Sequence, residues 1–282
     1  MNLEKITSNV YAVTDGINGG NMGAIVFNNE VVVIDSGMAH TLSIEVANEL
    51  RLLGSSLNYL VFTHYHSDHI MGAQAFDPIK RVSSKPTKRN IENMIESRIE
   101  TGELRKNWES VKDSRPNLWQ SLQTLEVVIP EIVFEDKMII DSSEDVIVRH
   151  LGGHTDGSSV VTCDSESVVF VGDLIFNEQF PYAGDPTTNP DDWIEAMHYL
   201  RQLGQEIVIP GHGQVGTQDT IEEYIEFLTS FKGSITTAIS EHLSPQEYLE
   251  QKLYPDFYTM GSEKWIELSV KHWFSFYGET HK

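Results

Sequence analysis

Short apolar runs separated by Gly- and Asn-rich turns open the chain. Residues 10–14, 24–27 and 31–35 carry the β-branched side chains of strands, and 15–21 and Asn28-Asn29 read as the turns between them. At about 41–53 the spacing changes to that of a helix, with Leu42, Val46, Leu50 and Leu53 on one face and Gly54 at its end. The next apolar run, 58–62, reads as a buried strand. Ser67 or Asp68 is then placed to cap a helix running through Ile70 to Phe76, and 81–84 is one more strand.

From 87 to 125 the pattern becomes two or three polar helices with sparse apolar anchors. These include Ile91, Met94, Leu104, Trp108, Trp119 and Leu122. The stretch from about 85 to 130 is therefore an insertion, too thinly apolar for a core of its own. Strand patterning returns at 132–134, 137–140 and 146–151, followed by a hairpin of 158–162 and 167–171. Asn189 and Pro190 open a helix that Gly204 ends, and a short strand follows at 206–209. From about 220 to 282 the chain is a helical extension with aromatic anchors such as Tyr224, Phe227, Trp265 and Trp273. Strands followed by a helix thus occur twice, once up to about 84 and again from about 132. The expectation is one α/β domain over 1–282, with two sheets packed together and helices outside.

Composition narrows the function classes. The 282 residues are 40% hydrophobic, enough for a sizeable core, and no stretch approaches the ~20 apolar residues of a membrane span. A formal charge of −22 argues against nucleic-acid and anionic-membrane partners. The first eleven residues are polar and unlike a secretion leader, and Cys163 is the sole cysteine, so a cytoplasmic location is expected. Charge is uneven. Residues 80–115 hold ten Lys and Arg against six acids, leaving −26 on the rest. The bland explanation is a solvated helical face with interleaved ion pairs. The alternative is a cationic lid that attracts an acidic substrate.

Candidate chemistry sits at strand ends. His64-x-His66-x-Asp68-His69 follows the strand at 58–62, His154 follows Gly152-Gly153, Asp173 follows Gly172, and His212 lies between Gly211 and Gly213. Five of the eleven histidines occupy these positions. Imidazole nitrogens and carboxylate oxygens are the donors that hold zinc and its first-row neighbours. Each position alone has a dull explanation as a polar turn; in this order and together they are specific.

On these motifs the chain resembles the metallo-β-lactamase-fold hydrolase superfamily over roughly 10–216. The resemblance implies an αββα sandwich of two mixed sheets flanked by helices. It implies that His64, His66 and His154 hold a first metal, that Asp68, His69 and His212 hold a second, and that Asp173 bridges both. Asp35 looks like the family's supporting aspartate. The implied cofactor is two zinc ions per chain, with iron or manganese as alternatives. The implied reaction is hydrolysis of an ester, thioester, lactone or similar acyl bond by a metal-bridging hydroxide, with Asp68 as the catalytic carboxylate.

The bridging Asp173 disfavours an authentic β-lactamase, and Phe176 stands where acyl-homoserine-lactone lactonases carry a tyrosine. The strand end 171–176 is similar to glyoxalase II, and 150–157 with 177–182 looks like hydrolases found beside sulfur-oxidation and quinoprotein systems. Phe176, Tyr182 and Trp108 are the expected pocket walls for a small-molecule substrate, and Tyr65 is expected to point away from the site. Alternatives are a mononuclear iron enzyme of the persulfide-dioxygenase type, or weak promiscuous β-lactamase or phosphodiesterase activity. The aromatic C-terminal helices are a candidate homodimer contact.

Overall fold

The alternation within β4 (Glu30–Ile34) explains why the chain makes two sheets. Val32 and Ile34 join one apolar cluster, and Val31 and Val33 join another. A strand that sends side chains into apolar surroundings on both faces needs a cover on each. The computed structural model describes residues 1–27, 30–53, 56–140 and 145–280, and there one cover is a second sheet and the other is helical. The expected turn at Asn28-Asn29 and the helix end at Gly54 lie outside the described residues.

β4 is the middle strand of a seven-stranded sheet in chain order. It contains β1 (Glu4–Lys5), β2 (Val10–Val13), β3 (Met22–Phe27), β4, β5 (Ser56–Val61), β6 (Lys80–Ser84) and β7 (Ile132–Phe134). Pairing is antiparallel up to β4 and parallel from there on. The second sheet has the order β12 (Ile207–His212), β11 (Val168–Phe176), β10 (Ser159–Cys163), β9 (Val146–His150) and β8 (Lys137–Ile139). Only its β11–β12 pair is parallel, so both sheets are mixed.

Val10, Ile25 and Val61 from the first sheet meet Val148, Val161, Phe170 and Ile209 from the second to form the inner layer. Outside the first sheet, Val46 and Leu50 of α1 (His40–Leu52) cover Val31, Val33 and Leu60. Outside the second, Trp193 of α6 (Pro190–Leu203), Leu228 of α7 (Gln218–Ser240) and Trp273 of α9 (Glu263–Thr280) cover Val160, Val169 and Val171. A fully buried side chain such as Leu228 contributes roughly 1.5–3 kcal/mol on leaving water, so these apolar layers hold the αββα sandwich together. α6 starts where expected, because the Asn189 side chain accepts from the backbone N–H groups of Asp191 and Asp192. It stops at Gly204, which takes φ 73°.

The helix expected over 70–76 is instead two short pieces. α2 (Ser67–Ile70) is followed by a 3-10 turn at Ala73–Phe76, and neither Ser67 nor Asp68 caps it. The backbone there is committed elsewhere. The amide of Gly72 donates to the Gly37 carbonyl at 2.8 Å, and the His69 carbonyl accepts from both the amide and the hydroxyl of Ser36. The insertion forms α3 (Lys85–Met94), a π-turn (Ile95–Ile99), α4 (Glu103–Glu109) and α5 (Pro116–Gln123). Its Ile91, Met94, Leu104 and Leu122 join the helical cover of the first sheet. A short α8 (Pro245–Glu250) precedes α9, and no helix among the described residues is long and apolar enough to cross a membrane.

Candidate metal centre

The strand ends deliver their side chains to one place. His64 and His66 leave β5, Asp68 and His69 lie in α2, His154 follows β9, Asp173 lies within β11, and His212 ends β12. Ligand atoms of His64, His66, His154 and Asp173 lie within 4.8 Å of one another, and those of Asp68, His69 and His212 form a second such group. Asp173 is the contact between them. Its Oδ2 lies 3.4 Å from Nε2 of both His64 and His154. Its Oδ1 lies 3.0 Å from Nε2 of His69 and 3.4 Å from Nε2 of His212. Asp68 Oδ2 is also 3.4 Å from Nε2 of His212.

Hydrogen bonds behind the centre decide which ring nitrogen faces it. The Thr63 hydroxyl donates to Asp35 Oδ2 at 2.7 Å, so it accepts from Nδ1–H of His64 at 3.0 Å. Nδ1–H of His69 donates to the same Asp35 oxygen at 2.8 Å. Nε2–H of His66 donates to Asp185 Oδ2 at 3.0 Å. The opposite nitrogens, Nε2 of His64 and His69 and Nδ1 of His66, therefore face the point where the groups converge.

That set fits metal ions. Nε2 of His64, Nε2 of His69 and Oδ1 of Asp173 are buried without a hydrogen-bond partner. Each such atom costs on the order of 1–3 kcal/mol, a penalty that a shared cation removes. Nδ1 of His66 and Nε2 of His154 are 3.0 Å apart, near the ~3.3 Å between two ligands of a tetrahedral ion with bonds of ~2.0–2.1 Å.

The protonation states follow from burial and charge. Burial pushes His64 down to about 3 and His154 well below the usual histidine range, so both are neutral. Burial also opposes the charged form of His69, but Asp173, Asp35 and Asp68 outweigh it and hold that imidazole well above its usual range. His212 is raised in the same way, against burial, by Asp173 and Asp68. Burial works against the Asp173 carboxylate too, yet His69, His212 and His64 hold it well below the usual range. Protons and metal ions compete for these nitrogens, so metal binding at His69 and His212 releases protons.

Two glycines let the loops close around this centre. A Cβ at Gly211 would lie 2.0 Å from Asp173 Oδ1, and one at Gly20 would lie 2.5 Å from the His69 ring. Only glycine allows such an approach.

A cavity of about 930 Å³ opens onto Asp68, Asp173 and His212. Phe176 lines it, stacked on His212 at 4.8 Å, and Tyr182 lines it at 6.0 Å from His66 and 6.4 Å from His154. Trp108 does not. It packs against the helical cover of the first sheet, because α4 turns its apolar side, with Leu104, into that layer. The tryptophan in the wall is Trp265 of α9, 6.1 Å from Tyr182 and 5.8 Å from Phe176. Tyr65 corrects a second expectation: it lines the cavity and donates its hydroxyl to Asp185 at 2.5 Å. Asp185 carried no sequence signal beyond an aspartate after Gly184.

A model of the Metallo-beta-lactamase superfamily matches residues 15–212. Among solved structures, the DIM-1 metallo-beta-lactamase superposes with a TM-score of 0.62 and 17% identity, over 81% of this chain and 96% of that one. A metallo beta lactamase from Hirschia baltica gives 0.60 and 17% over 80% and 97%. The stereoselective inverting sec-alkylsulfatase Pisa1 from Pseudomonas sp. gives 0.71 and 14%, over 98% of this chain and 50% of its own. Such identities show a shared fold. The family match runs through every loop that carries a ligand, and the chain belongs to the metallo-beta-lactamase superfamily.

Proposed function

We propose that the protein is a dinuclear zinc hydrolase that cleaves an ester, thioester, lactone or related acyl bond of a small molecule. The observation that carries this reading is the division of the Asp173 carboxylate, with Oδ2 toward His64 and His154 and Oδ1 toward His69 and His212. Bound there, two metal ions supply a water of lowered pKa and polarise the oxygen of the scissile bond. The complete second group, Asp68, His69 and His212, favours two ions over the single iron of a persulfide-dioxygenase-type enzyme.

The protein's own groups have defined tasks in this scheme. Asp68 is partly exposed and lines the cavity, where it orients the attacking water and takes up its proton. Burial raises the pKa of the Tyr182 hydroxyl, which therefore stays protonated and donates to the oxygen that gains charge. Phe176 and Trp265 provide an apolar wall that excludes water. A cavity of about 930 Å³ is of a size that takes small-molecule substrates.

The test is metal quantification followed by a screen of thioesters, lactones, β-lactams and phosphodiesters on the same preparation. The expected result is about two metals per chain and acyl-bond turnover that chelation or Asp68→Ala abolishes. Full activity after complete chelation would sink the proposal. One iron, with oxygen uptake on a persulfide, would select the other chemistry.

A further inference from the structure

Two cations line the cavity of a chain whose formal charge is −22. Arg98 comes from the π-turn in the insertion, and Lys264 from the first turn of α9. Among the described residues they are the Lys and Arg side chains in the wall that also contains Asp68, Asp173 and His212.

Several other cations of the basic segment pair or pack outside the cavity. Arg81 pairs with Asp77 and Glu131, Lys85 with Glu135, Arg89 with Asp156, and Lys112 lies over Trp119. These are the ion pairs and packed stems of a solvated face. Arg98 differs. A π-turn widens one helical turn and re-aims the side chains on it, and Ser97 and Arg98 reach the cavity from this one, beside Asn90 and Asn93 of α3. Tyr182 lines the same cavity, and the positive charge of Arg98 acts to lower the pKa of its hydroxyl against burial.

Neither cation has a strong protein partner. Arg98 meets Glu103 at 3.9 Å with both side chains about half exposed, a pairing of little energy. Lys264 forms no ion pair among the described residues. The carboxylates that line the cavity are engaged: Asp68 and Asp173 belong to the ligand groups, and Asp185 accepts from Tyr65 and His66.

We infer that the substrate carries a second, negatively charged group, a carboxylate, which Arg98 and Lys264 bind while the scissile acyl bond lies at the metal edge. This rests on the hydrolase reading above. A guanidinium fork matches a planar carboxylate, and an ammonium adds a point charge with three rotatable donors. The neutral amides of Asn90 and Asn93 extend the polar wall without competing for the anion.

The test compares mono-4-nitrophenyl glutarate with its methyl ester on the metal-loaded protein, in the wild type and in an Arg98→Met, Lys264→Met double variant. The wild type should prefer the anionic ester in kcat/KM by about tenfold, the scale of two part-exposed charge contacts, and the double variant should lose that preference. No preference in the wild type, or the same preference in the variant, overturns the inference. Turnover of neither ester counts against the hydrolase reading, and calorimetric titration with glutarate then decides the anion site separately. Weaker glutarate binding to the double variant supports the inference. Equal binding overturns it, because the dicarboxylate would then sit on the metals alone.

Discussion

Asp185 Oδ2 and His66 Nε2 lie 3.0 Å apart across 119 residues of chain, and the same oxygen accepts from the Tyr65 hydroxyl. One carboxylate therefore fixes both the tautomer of a ligand histidine and the place of a cavity tyrosine. His66, the hydroxyl and amide of Thr187 and the Tyr65 hydroxyl together hold the Asp185 carboxyl far below the usual range, against burial. It is an anion at any working pH.

Removing that anion should loosen the first ligand group while the fold persists. We expect Asp185→Ala to lower metal affinity at His64, His66 and His154 by ~10–100-fold, with a smaller change at Asp68, His69 and His212. Competition with a chromogenic chelator resolves the two classes. Equal affinity at both in the variant and the wild type would refute the role given to Asp185.

Asp35 supports the centre in a different way, as the buried hub of three donors: the amide and hydroxyl of Thr63 and Nδ1 of His69. Burial raises its pKa even with His69 beside it, and its backbone holds a φ of 56°, which aspartate and asparagine tolerate better than most residues. Asp35→Ala leaves those donors buried without an acceptor and should cost ~3–5 kcal/mol. Asp35→Asn keeps an acceptor and the backbone tolerance, so it should cost less. Denaturant midpoints of the metal-free proteins measure both, which separates this loss from that of bound metal.

The ligand loops were legible in the sequence because each is marked by residue type and place, a histidine or aspartate at the end of an apolar strand. The two-sheet architecture was legible from alternation, as in Val31 to Ile34. The cavity wall was legible only in part, at Phe176 and Tyr182. Trp108 and Trp265 both lie in amphipathic helices, and which face of a short helix meets the cavity is settled by docking, not by periodicity. Strand alternation would turn Tyr65 away from the site, but the backbone has already left the strand at Phe62. Asp185 becomes recognisable only once the fold brings it to His66. The cavity face of the insertion depends on a π-turn that no spacing rule forecasts.

Close backbone approach gives a paired test at two glycines. An added Cβ at Gly211 meets Asp173 Oδ1 at 2.0 Å and the Gly172 carbonyl carbon at 2.6 Å, whereas one at Gly233 in α7 meets nothing within 4 Å. Gly211→Ala should destabilise by ~1–3 kcal/mol through overpacking and should displace the Asp173 carboxylate, lowering bound metal. Gly233→Ala should stabilise by ~0.5–1 kcal/mol through helix propensity alone. Thermal melts with metal quantification on both variants check the pair. Retention of full metal by Gly211→Ala would show that Asp173 has room to move.

Metal removal should be visible as stability. Buried Nε2 atoms of His64 and His69 and Oδ1 of Asp173 form no hydrogen bond in the fold, so a bound cation should stabilise the native state selectively. Free metal at a hundred times its Kd adds ~2.7 kcal/mol per site. At roughly 2–4 °C per kcal/mol for a chain near this size, complete chelation should lower the Tm by about 5–10 °C per site. Readdition of zinc should restore it. The difference should shrink as pH falls, because the same imidazole nitrogens then hold protons. A Tm that is indifferent to chelation at neutral pH would mean that the two groups hold no metal in solution.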